Sequence, residues 1–302
     1  MSRDPTIDTV RGLAIAGMIL YTVAPQISHD LPSVLAHNDF NRLLIGDFVF
    51  PLFLFTSGMS LAFLSQRIRE RGWDGILKKL MLQALTLAIF SPITTGQFLG
   101  MDEVGMNLVL FFPCLATTLL STPLLISLQT FITALYFVFQ HEGWLPDFRQ
   151  TYLGGYYGAF WYLPIMIGGV LAIRLQYSLP KLAIMAFLVS ALLTSIIQPL
   201  KMISSPSFMM LSIGVCSLVV WRMRGVRNAM LEYLGARPLR VWILQFLLVL
   251  GPLRLGVSRL FGVPEIQLNW PWVFPAAGMT LAVIVGASLL VDRRVRTAAN
   301  RP

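Results

Sequence analysis

Two of the three histidines in this 302-residue chain, His29 and His37, fall in one polar stretch, 26–44, with Asp30, Asp39, Asn41 and Arg42. Asp47 follows at the start of an apolar run. Imidazole takes up and releases protons near neutral pH, and a carboxylate partner fixes its tautomer and raises its basicity. These residue types, this close together, suit proton transfer from an attacking amine or hydroxyl. They also make an ordinary hydrated loop, and Asp47 equally suits a first helical turn, where the helix dipole favours a carboxylate. Four residues beyond Asp47, Pro51 has no N–H to return to the Asp47 carbonyl. An acid, a released carbonyl and a break in the hydrogen-bond ladder together suggest a cavity.

Whatever positions these groups must be built from apolar sequence. Only 12% of the residues are charged and 56% are apolar, with a mean hydropathy of +0.71; soluble domains carry about 25% charged residues. So few charges cannot cover a water-facing surface. A soluble enzyme, a disordered chain and a disulfide-stapled secreted domain are excluded. An all-α polytopic membrane protein is expected. Ten apolar runs are long enough to span a bilayer as helices: 7–25, 45–65, 76–95, 104–121, 123–140, 155–174, 181–199, 206–222, 229–252 and 272–291. The fourth and fifth form one stretch too long for a single span, divided at Ser121, Thr122 and Pro123. No repeat or linker interrupts the pattern, so one transmembrane domain over 1–302 is expected.

The formal charge is +9. Its basic residues cluster between apolar runs without aromatic interleaving, which reads as topology signals and contacts with anionic lipids, not nucleic-acid binding. With ten crossings, 16 Lys and Arg fall on the side carrying both termini and 5 on the other, while Arg237 and Arg240 lie inside the ninth run. That asymmetry predicts cytoplasmic termini and an outward-facing 26–44 loop. Cys114 and Cys216 sit inside apolar runs without metal-ligand spacing, so neither a metal nor a disulfide framework is expected. The first run reads as a retained helix, not a cleaved signal peptide. Tyr156, Tyr157, Trp161 and Tyr162 read as an interfacial aromatic belt. Ser57, Gly58 and Ser60 read as close helix packing, and Gln245 as a bond to a neighbouring helix.

Asp8, Arg11 and Gly12 open the first run as D-x-x-R-G; His37 is followed by Asn41 at +4 and by Asp47-Phe-Val-Phe-Pro51 at +10. Over about residues 3–64 this arrangement resembles the heparan-α-glucosaminide N-acetyltransferase family, within the wider transmembrane acyltransferase group. The segment 234–245 is similar to a late G-x-x-x-L-x-x-Y-L helix of related bacterial membrane proteins. Thr22 stands where the family has an asparagine, so a hydroxyl replaces an amide donor that would help an oxyanion.

The resemblance implies transfer of an acetyl group from cytoplasmic acetyl-CoA to an acceptor beyond the membrane, an amino sugar or another glycan amine or hydroxyl. His37 is then the catalytic residue, with Asp47 and Asn41 in its site. Acetyl-CoA is expected as co-substrate, without a metal. Its phosphates are expected near Arg11, Arg237 and Arg240, since guanidinium suits phosphate. Arg237 and Arg240 equally suit snorkelling to headgroups, and Arg11 equally suits an i,i+3 pair with Asp8. Direct transfer and an acetyl-histidine intermediate both remain open, as does a homodimer. A bacterial inner membrane is the expected location. The alternative class is a transporter of a small polar or anionic solute, which usually shows interrupted helices at matching positions in two halves.

Overall fold

The computed structural model describes residues 4–28, 31–32, 43–73, scattered positions between 76 and 89, residue 116, and 119–145, 159–175, 178–199, 204–250 and 269–299. Among these there is helix and no strand. Helix α1 (Pro5–Ile27) starts where Asp4 accepts the Thr6 N–H at 2.8 Å and Pro5 occupies the first turn. A 3-10 turn, Ile45–Phe48, leads into α2 (Val49–Arg71). Helix α3 (Thr122–His141) is followed by a 3-10 turn, Ala159–Tyr162, and α4 (Leu163–Arg174). Then come α5 (Leu179–Thr194) and α6 (Pro206–Arg222), the latter capped by Ser205. Short helices α7 (Ala229–Ala236) and α8 (Pro238–Gln245) precede a π turn, Phe246–Leu250, and the long α9 (Val273–Ala299).

Four described helical stretches are long and apolar enough to cross a membrane: Pro5–Ile27, Ile45–Glu70, Thr122–His141 and Trp270–Arg293. Shorter apolar helices accompany them, Phe160–Arg174, Leu179–Thr194, Pro206–Arg222 and Pro238–Val249. The described residues are helical and without strand, and their long apolar helices are consistent with an integral membrane protein. Of the ten expected runs, 76–95 is described only at scattered positions, and 104–121 lies almost wholly outside the described residues.

The ninth run differs from expectation. It is not one helix over 229–252 but two short helices hinged at Arg237 (φ −132°, ψ 47°), then a π turn. Pro238 is the reason. Its ring drives the preceding residue out of the α region and it supplies no N–H to the turn before it.

The helices group into two compact units. The first holds α1, the 3-10 turn Ile45–Phe48, α7, α8 and α9. There α1 packs chiefly along α7 and then α9, and α8 packs on α9. The closest approach is at two glycines. A Cβ on Gly12 would stand 1.9 Å from the Leu231 carbonyl oxygen, and one on Gly235 would stand 1.9 Å from that of Asp8. Only glycine lets the backbones cross there.

The second unit runs through residues 50–225, with α5 against α6, α6 against α4, and α3 against α4. Gly58 and Gly169 let α2 and α4 cross closely, since a Cβ on either would stand about 2 Å from the Met166 or Phe55 carbonyl oxygen. Trp161 and Tyr162 are fully buried here, a correction to the aromatic-belt reading. Trp161 meets Tyr136 edge-on at 5.2 Å and Phe139 at 5.7 Å, and Tyr162 meets Phe50 at 5.6 Å. Rings that interlock in this way form a core. Tyr156 and Tyr157 lie outside the described residues.

Candidate functional site

Arg11 lies one turn beyond Asp8 on α1, and both side chains are buried. Arg11 Nη1 stands 3.6 Å from Asp8 Oδ1 and donates to the Gly235 carbonyl oxygen at 3.1 Å. The i,i+3 pair expected from sequence is formed, and a contact spanning 224 residues is added to it. A side chain at Gly235 would collide with the backbone of α1, so glycine there permits the close approach at which this bond forms.

Arg237 and Arg240 follow two and five residues later, and both turn to Asp292 on α9. Arg237 Nη2 is 3.1 Å from Oδ2, and Arg240 Nη1 donates to Oδ1. The Tyr233 hydroxyl lies 2.8 Å from Ser288 Oγ and 3.2 Å from Asp292 Oδ2, and its ring sits 4.3 Å beneath the Arg237 guanidinium. The two arginine side chains keep 33% and 36% of their surface exposed. Two guanidinium groups on one carboxylate leave positive charge over at an accessible surface. Arg11, Arg237 and Arg240 are therefore brought to one region of the first unit.

Asp292 and Tyr233 are the participants that sequence reasoning missed. Asp292 directly follows the tenth apolar run, an acid just before Arg293, Arg294 and Arg296. An acid among cations at the end of an apolar run was the signal, hidden because counting basic residues ignores acids.

About 15 Å farther along α1, at a rise of 1.5 Å per residue, a second polar group is assembled around Tyr21. Gly46 packs against the Tyr21 ring so closely that a Cβ would stand 2.6 Å from Cε1. Asp47 is fully buried. Its Oδ2 accepts the Leu44 N–H at 2.8 Å while its own N–H donates to the Leu44 carbonyl at 3.0 Å. This reciprocal pair fixes the start of the turn that leads into α2. Thr22 donates its hydroxyl back to the Met18 carbonyl on its own helix. His37 and Asn41, like His29, Asp30, Asp39 and Arg42, lie outside the described residues.

Two further features border the site. Gln245, at the end of α8, is buried, and its amide nitrogen meets no hydrogen-bond partner among the described residues. Before α7, exposed Arg227 pairs with Glu232 at 3.1 Å, and that hydrogen bond raises its already high pKa. No set of three His, Cys, Asp or Glu side chains converges as metal ligands among the described residues.

The chain matches no protein-family model and no curated protein. Its likeness to the acetyltransferase family thus rests on the motif residues, and its chemistry must be argued from the site.

Proposed function

We propose that the protein is a multi-pass inner-membrane acyltransferase with cytoplasmic termini. It moves an acetyl group from cytoplasmic acetyl-CoA to the amine or hydroxyl of an amino sugar or other glycan on the outer side. The observation that carries this reading is the distribution of charge along α1. Arg237 and Arg240, two guanidinium groups on one carboxylate, supply surplus positive charge in the region of Arg11, and buried Asp47 stands beside Tyr21, about 15 Å away along the helix. That distance is of the order of an extended pantetheine arm. Phosphates held by the arginines would leave the thioester near the carboxylate.

The chemistry then follows from the residues. The acceptor nitrogen or oxygen attacks the thioester carbonyl carbon, the C–S bond breaks, and CoA leaves as thiolate. His37 removes the acceptor's proton, and a later proton transfer restores the neutral imidazole. Asp47, fixed through Oδ2 by the Leu44 N–H, holds the imidazole tautomer and stabilises the imidazolium. Asn41 is assigned to the same site by its +4 spacing.

The test is turnover with radiolabelled acetyl-CoA and a panel of amino sugars. His37→Ala should lose at least about 100-fold in rate, the scale of general-base catalysis, while still binding CoA. His29→Ala should keep most activity. An active His37→Ala beside an inactive His29→Ala overturns the assignment. The hinge at Arg237 favours a second reading, transport of a small anionic solute through an interrupted helix. Solute flux into proteoliposomes without acetyl transfer would select it.

A further inference from the structure

Between residues 241 and 250 the sequence carries a single carboxamide, Gln245, among apolar and aromatic side chains. Only 3% of Gln245 is exposed, and its Nε2 has no acceptor among the described residues. Hydrocarbon cannot hydrogen-bond, so an amide donor enclosed within a membrane span must find an acceptor in the protein or in a ligand. Immediately after Gln245 the backbone leaves the α-helix for a π turn, Phe246–Leu250. Such turns widen a helix locally and recur at functional sites. Trp242 and Phe246 stack across the junction at 6.2 Å with an interplanar angle of 13°. The distortion is therefore braced by packing. Gln245 also lies five residues beyond Arg240 on α8, about 7.5 Å along the helix from that member of the cation cluster.

We infer that Gln245 donates a hydrogen bond to an amide carbonyl of the acyl carrier's pantetheine arm, making it a binding residue for the donor substrate. The inference rests on the acyltransferase reading above. Pantetheine fits the observations because it is a mostly apolar chain carrying two secondary amides. Each amide carbonyl, drawn out of water, needs a donor, and Gln245 has one to give. The phosphates set the charge requirement at Arg237 and Arg240. Gln245 adds recognition of the arm, separating CoA from other phosphorylated nucleotides.

The full-length protein in lipid nanodiscs provides the test, with CoA and adenosine 3′,5′-bisphosphate as probes, since the bisphosphate has phosphates but no arm. Gln245→Leu keeps the volume and removes the donor. It should weaken CoA binding about tenfold, the scale of one buried hydrogen bond, and leave bisphosphate binding within about twofold. Its thermal midpoint should equal or exceed that of the parent, because an unpaired buried amide is gone. Should the leucine variant misfold, Gln245→Met makes the same measurement. Equal CoA affinity in parent and variant, or a parallel loss for both probes, overturns this inference alone. A parent protein that binds neither probe overturns the acyltransferase reading and this inference with it.

Discussion

In the unit of α1, α7, α8 and α9 the buried polar groups include Asp8, Arg11 and Asp47, whereas in the unit spanning 50–225 the described ones are serine and threonine hydroxyls. Several of these hydroxyls are satisfied cheaply, while those of Ser204, Ser212 and Ser217 meet no hydrogen-bond partner among the described residues. Thr56 returns its proton to the Leu52 carbonyl on its own helix, and Ser190 donates to the Ser207 carbonyl at 2.8 Å. The arginines draw on partners distant in sequence as well. Arg11 uses Asp8 and the carbonyl of Gly235, and Arg237 and Arg240 reach across to α9 for Asp292. Both units use paired close-approach glycines, so helix packing alone does not distinguish them. The charge does. A membrane helix that retains arginines at the expense of dedicated partners marks where a polar ligand is expected.

The comparison is sharpest at Arg11. Arg11→Met leaves Asp8 buried without its cation and should cost about 3–5 kcal/mol. The double variant Arg11→Met with Asp8→Leu should recover most of that loss, as read by thermal unfolding in detergent. A double variant no better than the single would remove the ion pair as the cause.

Next in size is Gly235→Ala. Its Cβ meets a backbone oxygen that has no rotamer to give way, so α1 and α7 must separate. A loss of about 2–3 kcal/mol is expected, together with weaker CoA binding because the acceptor of Arg11 moves. Gly169→Ala in the other unit should cost a similar amount of stability while sparing CoA affinity per folded molecule. On α9, Gly278 has open space beside it, and Gly278→Ala should hold or raise the midpoint.

Ser207→Ala tests the cheaper solution. Ser207 Oγ donates to the Ile197 carbonyl at 3.0 Å and meets Ser205 Oγ at 3.1 Å. Losing it should cost about 1 kcal/mol, well below the Arg11 value in the same assay. The smallest effect belongs to Arg227→Ala. That pair with Glu232 is solvent-exposed, so its removal should leave the unfolding midpoint within experimental scatter.

Sequence alone determined what depends on composition and on neighbours along the chain. The sparse charge required a membrane protein of helices, because backbone groups in hydrocarbon must be satisfied within a segment. The apolar run 206–222 is a single helix with those bounds, which the Ser205 cap and Pro206 begin. The Asp8–Arg11 pair and the helical-turn setting of Asp47 followed from local spacing.

Tertiary structure decided which groups meet across distance in sequence. Periodicity names a helix face but not the helix it will face. That Arg237 and Arg240 share Asp292, 52 residues beyond Arg240, and that Arg11 finds the Gly235 carbonyl, depends on which helices cross and where glycine permits contact. Trp161 and Tyr162 have the composition of an interfacial belt, and only packing against Tyr136, Phe139 and Phe50 made them core. The break at Arg237 lay in plain view as Pro238, yet an unbroken apolar run masked it, since hydropathy records what a segment is made of and not whether its backbone hydrogen bonds can close.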